Sequence, residues 1–172
     1  MRPDNWKSCD YVSLGQCIDL VHWAFDICDA ESLKKMVSVS FNSRFTARAG
    51  DACFGMMRIR LSEPMWKIMD KQERYETVIH EACHLITAYF FPISTEGPHG
   101  PNWRHYMLRC GVKPEARHSI DRTEILRGSG YTEAYCGCPK PHLITWRKHA
   151  SIKSQTKNYR CKSCKRRLEL IK

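Results

Sequence analysis

No apolar run in this sequence approaches the ~20 residues that a membrane-spanning helix needs; the nearest is Leu85 to Phe91. The opening stretch, Met1 to Asp10, has no apolar segment of the secretory type. Internal repeats and low-complexity segments are also missing. These absences lead us to expect a soluble cytoplasmic protein with no membrane partner. In that compartment thiols stay reduced, so the ten cysteines are not five disulfides. Acid is scarce at one end of the chain. Of 18 Asp and Glu residues, only Glu169 lies in residues 139–172.

That scarcity sets the charge pattern. Lys and Arg number 17 in residues 1–138 and 11 in residues 139–172, so the first stretch is neutral and the last 34 residues carry the whole net charge of +10. A neutral body with a basic tail points to a polyanionic partner at the tail. The length of 172 residues, with 42 % hydrophobic and 27 % charged side chains, suffices for one domain with a core and a small appendage. We place these at 1–134 and 135–172.

The periodicity predicts an α+β fold. Val12, Leu14, Cys17, Ile18, Val21, Phe25 and Cys28 recur at helical spacing, so a helix should end near Asp29. Residues 36–41 alternate as a strand does, and Phe54 to Leu61 reads as a second strand. Ala49-Gly50-Asp51 between them reads as a turn. Pro64 suits the first turn of a short helix. Lys71 to Phe91 is the longest helical pattern. Ser94 to Pro101, with Gly97-Pro98 and Gly100-Pro101, is a loop. Asn102 can cap a helix running through Cys110 and stopped by Gly111. Residues 112–134 look irregular, and a small β-hairpin is expected from Tyr135 onward. Cys9, Cys17, Cys28, Cys53, Cys83 and Cys110 read as small core residues.

The long helix holds H-E-A-C-H at 80–84. At 3.6 residues per turn, His80 and His84 point the same way, one turn apart, and two imidazoles so placed can share one Zn²⁺. Glu81 projects beside them, where it can act as base on water at the metal. A catalytic zinc takes three protein ligands and keeps one position open. His99 is the candidate third ligand, because the Gly/Pro loop around it can return the chain to the metal. His22 reads as a helix-face residue, His105 as a packing or surface residue of the following helix, and His118 as a plain surface residue, with a polar position near the cleft as the alternative.

The tail contains Cys136-Gly137-Cys138 and Cys161-Lys162-Ser163-Cys164, about 22 residues apart, the spacing of a zinc ribbon. A segment under 40 residues cannot hold itself together by core burial, so a structural zinc is the expected staple. Arg147, Lys148, Lys153, Lys157, Arg160, Lys162, Lys165, Arg166 and Arg167 are interleaved with Tyr135, Trp146 and Tyr159. Cations take phosphates, and an exposed ring such as that of Trp146 can stack on unpaired bases. No base-reading motif is visible, so the expected partner is DNA bound without sequence preference.

Together, H-E-A-C-H at 80–84, H-G-P-N-W at 99–103, A-G at 49–50 followed by R-I-R-L-S at 58–62, and the terminal cysteine pairs resemble the SprT family, which includes the Spartan proteases. The resemblance runs from about Val37 to Leu168. It implies a compact single-zinc zincin, mainly helical with a small sheet, followed by a zinc ribbon. It also implies that His80, His84 and His99 bind zinc, that Glu81 is the catalytic base, and that the substrates are proteins crosslinked to DNA. Relatives often place a histidine shortly after C-x-C; here His142 lies slightly further on. The second site is therefore the four cysteines, or His142 in place of Cys136 or Cys138.

The function expected is that of a monomeric zinc endopeptidase on DNA-bound proteins, located at the nucleoid if the source is bacterial. The strand Met56 to Leu61 is expected to pair with an extended substrate. The rival readings are a non-catalytic DNA-binding or regulatory protein and a general intracellular metallopeptidase.

Overall fold

The structure, a computed structural model, describes residues 9–92, 96–116 and 120–170. His118 and part of the loop expected over 94–101 lie outside the described residues. The chain divides into two compact units, one reaching Ile120 and the other beginning at Asp121. The division falls earlier than the expected boundary at 134/135, because residues up to Ala134 pair with strand residues further on.

In the first unit, helix α1 (Leu14–Ile27) starts at a reciprocal cap between Ser13 and Gln16 and buries Cys17, Leu20, Val21, Ala24 and Phe25. Three strands follow: β1 (Ser38–Asn42), β2 (Gly50–Cys53) and β3 (Arg58–Ser62). The sheet order is β1-β3-β2, with β1 parallel and β2 antiparallel to β3. Two expectations are corrected here. Ala49-Gly50-Asp51 leads into a strand rather than a turn, because Asp51 stands opposite Arg60 and pairs with it across the ladder. The reversal comes instead in the 3-10 turn Phe54–Met56, after which Met57 takes a left-handed φ of 45°. And β3 is the central strand. Both its edges are occupied, so it cannot accept an extended substrate.

Helix α2 (Glu63–Ile68) is capped by Ser62, with Pro64 in its first turn. Helix α3 (Lys71–Phe90) begins at a capping box formed by Asp70 and Glu73. One face of α3 is buried through Tyr75, Val78, Ile79, Ala82, Cys83, Leu85 and Ile86, packing against α1 and β2. Helix α4 (Pro101–Arg109) also packs on α3. Its cap is a further correction. Gly100, not Asn102, holds the N-cap, and the Glu96 carboxylate accepts from the Asn102 N–H at 3.2 Å. Pro101 needs no such bond, so the helix begins one residue before Asn102. At its other end Gly111, with φ 70°, closes the helix: its N–H donates to the Leu108 carbonyl and that of Val112 to the Met107 carbonyl.

Of the six cysteines read as core, Cys17, Cys28, Cys83 and Cys110 are buried, whereas Cys9 and Cys53 are only half-buried. Burial pushes the Cys17 thiol up to about 12, and the Cys110 contact with burial raises Cys28 as well. Such thiols stay protonated and inert.

In the second unit, residues expected to be irregular form helix α5 (Thr123–Gly128) and strand β4 (Tyr131–Ala134). Strand β4 pairs antiparallel with β5 (His142–Thr145), and helix α6 (Trp146–Lys153) follows. The hairpin thus starts before Tyr135, and a helix occupies part of the span between the cysteine pairs. The core is small: Ala134, Cys136, Ile144, Ile152, Cys161 and Leu168.

Two candidate metal centres

Helix α3 carries His80 and His84 one turn apart, with ring centroids at 4.9 Å. The chain before α4 brings His99 to them, its ring 5.0 Å from His80 and 4.9 Å from His84. The three ligand nitrogens lie within 4.8 Å of one another, and Nε2 of His99 is 3.1 Å from Nε2 of His80. Nitrogens bound tetrahedrally at about 2.0–2.1 Å stand roughly 3.3–3.4 Å apart, so the spacing and the all-nitrogen donor set fit a zinc-type ion with an open position. Burial, and then the neighbouring His99, push His84 down to about 4; burial and Arg104 lower His99. Both imidazoles are therefore neutral at pH 7, the form that binds metal.

Glu81, on the same helix, is 6 % exposed and stays outside the nitrogen cluster. Burial, followed by the charge of Asp51, pushes its carboxyl up to about 8, and Arg48 opposes this. A cation beside it would draw that value back down. Above Glu81 runs β2. A Cβ on Gly50 would stand 2.9 Å from Glu81 Cγ and 3.0 Å from Oε1, so only glycine leaves room for this carboxylate. Asp51 is held by Arg60 through two hydrogen bonds of 2.8 and 2.7 Å, and by Arg48 at 3.2 Å. Sequence reasoning gave Asp51 no role, because its partner is revealed only by the strand register.

In the second unit the sulfurs of Cys136, Cys138, Cys161 and Cys164 lie within 4.8 Å of one another. Thiolates bound to zinc at about 2.3 Å in a tetrahedron stand roughly 3.8 Å apart, and Cys138 Sγ is 3.9 Å from Cys161 Sγ. The backbone N–H of Cys164 donates to Cys161 Sγ at 3.5 Å, and that donation is the main cause that draws the Cys161 thiol down to about 6. His142 is outside this group of four; its Nε2 is 3.1 Å from Cys136 Sγ. All nine basic residues named above are exposed. Arg147, Lys148 and Lys153 lie on α6, and Lys162, Lys165, Arg166 and Arg167 on or just after the C-x-x-C turn. Trp146 is 64 % exposed, with the Arg147 guanidinium 5.7 Å from its ring. Tyr159 instead packs against the small core and meets Lys148 at 5.5 Å.

Residues 18–124 match the SprT-like family. The chain belongs to that family. Two curated relatives are Protein SprT of Proteus mirabilis, 32 % identical over 139 residues (78 % of each chain), and Protein SprT of Yersinia pseudotuberculosis, 28 % identical over 134 residues (77 % of this chain and 75 % of the relative). A third, Protein SprT of Actinobacillus succinogenes, is 35 % identical over 98 residues, 56 % of this chain and 54 % of the relative. The SprT-like match includes His80, Glu81, His84 and His99 and ends before Cys136. Among the described residues of this SprT-like chain, no helix is long and apolar enough to cross a membrane.

Proposed function

We propose that this SprT-like protein is a zinc-dependent endopeptidase with a zincin-type first unit, and that its basic second unit is a zinc ribbon that holds it on DNA. The observation that carries this reading is the convergence of the His80, His84 and His99 nitrogens beside a buried carboxylate that is not one of the ligands. A purely structural metal has no use for that carboxylate.

The donor sets favour one catalytic and one structural zinc. Zinc at the histidines would supply Lewis acidity, polarising a carbonyl and making water more acidic. Glu81 takes the proton of the attacking water as the new C–O bond forms. It then delivers that proton to the amide nitrogen as the C–N bond breaks. The buried position of Glu81 keeps bulk water from competing for this proton. Strand β2 pairs with β3 on one side, so its other side is the candidate edge for an extended substrate, in place of β3. Backbone pairing of that kind reads little side-chain sequence, and selectivity then comes from location, because the DNA raises the local concentration of any protein fixed to it. Proteins crosslinked to DNA are the substrates this arrangement suits.

The test is a proteolysis assay and a zinc determination on one sample, with and without DNA. We expect about two zinc ions per chain and cleavage that DNA stimulates. Cleavage indifferent to DNA would favour a general peptidase. Two zinc ions with no cleavage of any DNA-bound protein would favour a DNA-binding protein with a structural body.

A further inference from the structure

One indole touches all three histidines. Trp103 is fully buried in the first turn of α4. Its Nε1–H donates to the His80 carbonyl at 3.3 Å. Its ring meets His80 at 4.8 Å and 65°, and His99 at 4.6 Å and 79°, both edge-on. Against His84 it lies nearly parallel, at 5.7 Å and 24°. These contacts bear on a specific problem. The Cα positions of His80 and His84 are set by α3, but the second side-chain torsion of a histidine is broad, so helix geometry alone does not set the orientation of the ring. His99 precedes the helix; Arg104 Nε–H of α4 donates to its carbonyl at 3.2 Å, which holds the backbone and not the ring. Three rings must nevertheless aim their nitrogens at one point, and the 3.1 Å contact between the Nε2 atoms of His80 and His99 ties only two of the three.

We propose that Trp103 is the positioning residue of the three-histidine centre, holding the imidazoles in their convergent orientation so that an ion binds a site already formed. The inference rests on the reading of this centre as a metal site. Partners that hydrogen-bond a ligating imidazole and orient it typically change metal affinity about 10–100-fold, and a packed ring that fixes the same torsions acts in the same sense. Immobilising each side chain at the moment of binding is the cost that such a neighbour removes.

The test uses the full chain with both centres intact. Cobalt distinguishes the centres, because thiolate ligands give it a charge-transfer absorption that nitrogen ligands do not. Zinc affinity at each centre is then measured by chelator competition for wild type, Trp103→Leu and Trp103→Phe. Trp103→Leu should weaken the histidine centre by about 10–100-fold and leave the thiol centre unchanged. Trp103→Phe keeps a ring but loses the bond to the His80 carbonyl, and should show a smaller, severalfold loss. If indole merely fills space, melting of the metal-free protein will drop while the affinity of the folded variants stays within about twofold of wild type; that result overturns the proposal. If Trp103→Leu does not fold, unchanged affinity in Trp103→Phe overturns it equally. Absence of any ion at the histidines of the wild type defeats the metal reading itself, and the wild-type arm alone reveals that.

Discussion

At the scale of single residues, Glu81 and Gly50 form one unit of space. Glu81→Gln keeps the shape and removes the proton acceptor. Hydrolysis should fall by about 10²–10⁴-fold or more, with zinc content and circular dichroism unchanged. Gly50→Ala tests the same carboxylate from the other side. Its new Cβ would stand 2.9 Å from Glu81 Cγ, closer than real contacts allow, and a tight 3.1 Å from the Arg60 carbonyl. The side chain of Glu81 must yield, so proteolysis should drop while both zinc ions remain; full activity would show that Glu81 tolerates the displacement. Two backbone positions in the second unit make an opposed pair. Gly137 has φ 86°, and its missing Cβ would stand 2.8 Å from the Arg166 guanidinium. Lys165 has φ 61° without being glycine. Left-handed backbone costs an L side chain about 1–2 kcal/mol. Gly137→Ala should therefore lower stability by that amount. Lys165→Gly should raise it by about 0.5–1 kcal/mol after the entropy of the added glycine is subtracted. Thermal melting of the zinc-loaded proteins checks both signs.

At the scale of elements, legibility followed period and length. Helices α1 and α3 carry two or more turns of apolar repeat, and their caps, Ser13 with Gln16 and Asp70 with Glu73, are local. Strand β2 has four residues and its A-G-D start has turn chemistry; it becomes a strand through Arg60, a partner on another strand. The cap of α4 comes from Glu96, a loop residue whose reach no local rule reveals. In the second unit the hairpin β4–β5 and helix α6 share a core of six residues, two of which, Cys136 and Cys161, belong to the thiol centre. So little apolar area cannot by itself hold these three elements together, and under the proposed reading a zinc ion staples them. Cys161→Ser with Cys164→Ser should remove one zinc and abolish hydrogen-exchange protection in β4, β5 and α6. Protection in α1, α3 and α4 should persist. Loss of protection in both units, or in neither, would contradict this division.

At the scale of the whole molecule, the net charge and the two candidate metal centres are segregated along the chain. A chain ending at Ile120 should retain the histidine centre and lose most DNA affinity. In the full chain, log K should fall with log salt at a slope of about −0.7 to −0.9 per phosphate neutralised. A truncated chain that binds DNA as tightly as the whole would remove the tethering idea. The sequence by itself determined this segregation, the long helices and the identity of the candidate ligands. Those features are written in composition, in spacings of a few residues such as His80 to His84 and Cys161 to Cys164, over which backbone geometry is nearly invariant, and, for His99, in the Gly/Pro punctuation around it. What only tertiary structure decided is longer in range: β3 as the central strand, Gly50 over Glu81, Asp51 held by Arg60, and Trp103 against three imidazoles. Each depends on residues from different elements meeting in one place, and packing of the complete core, rather than any local preference, sets which residues those are.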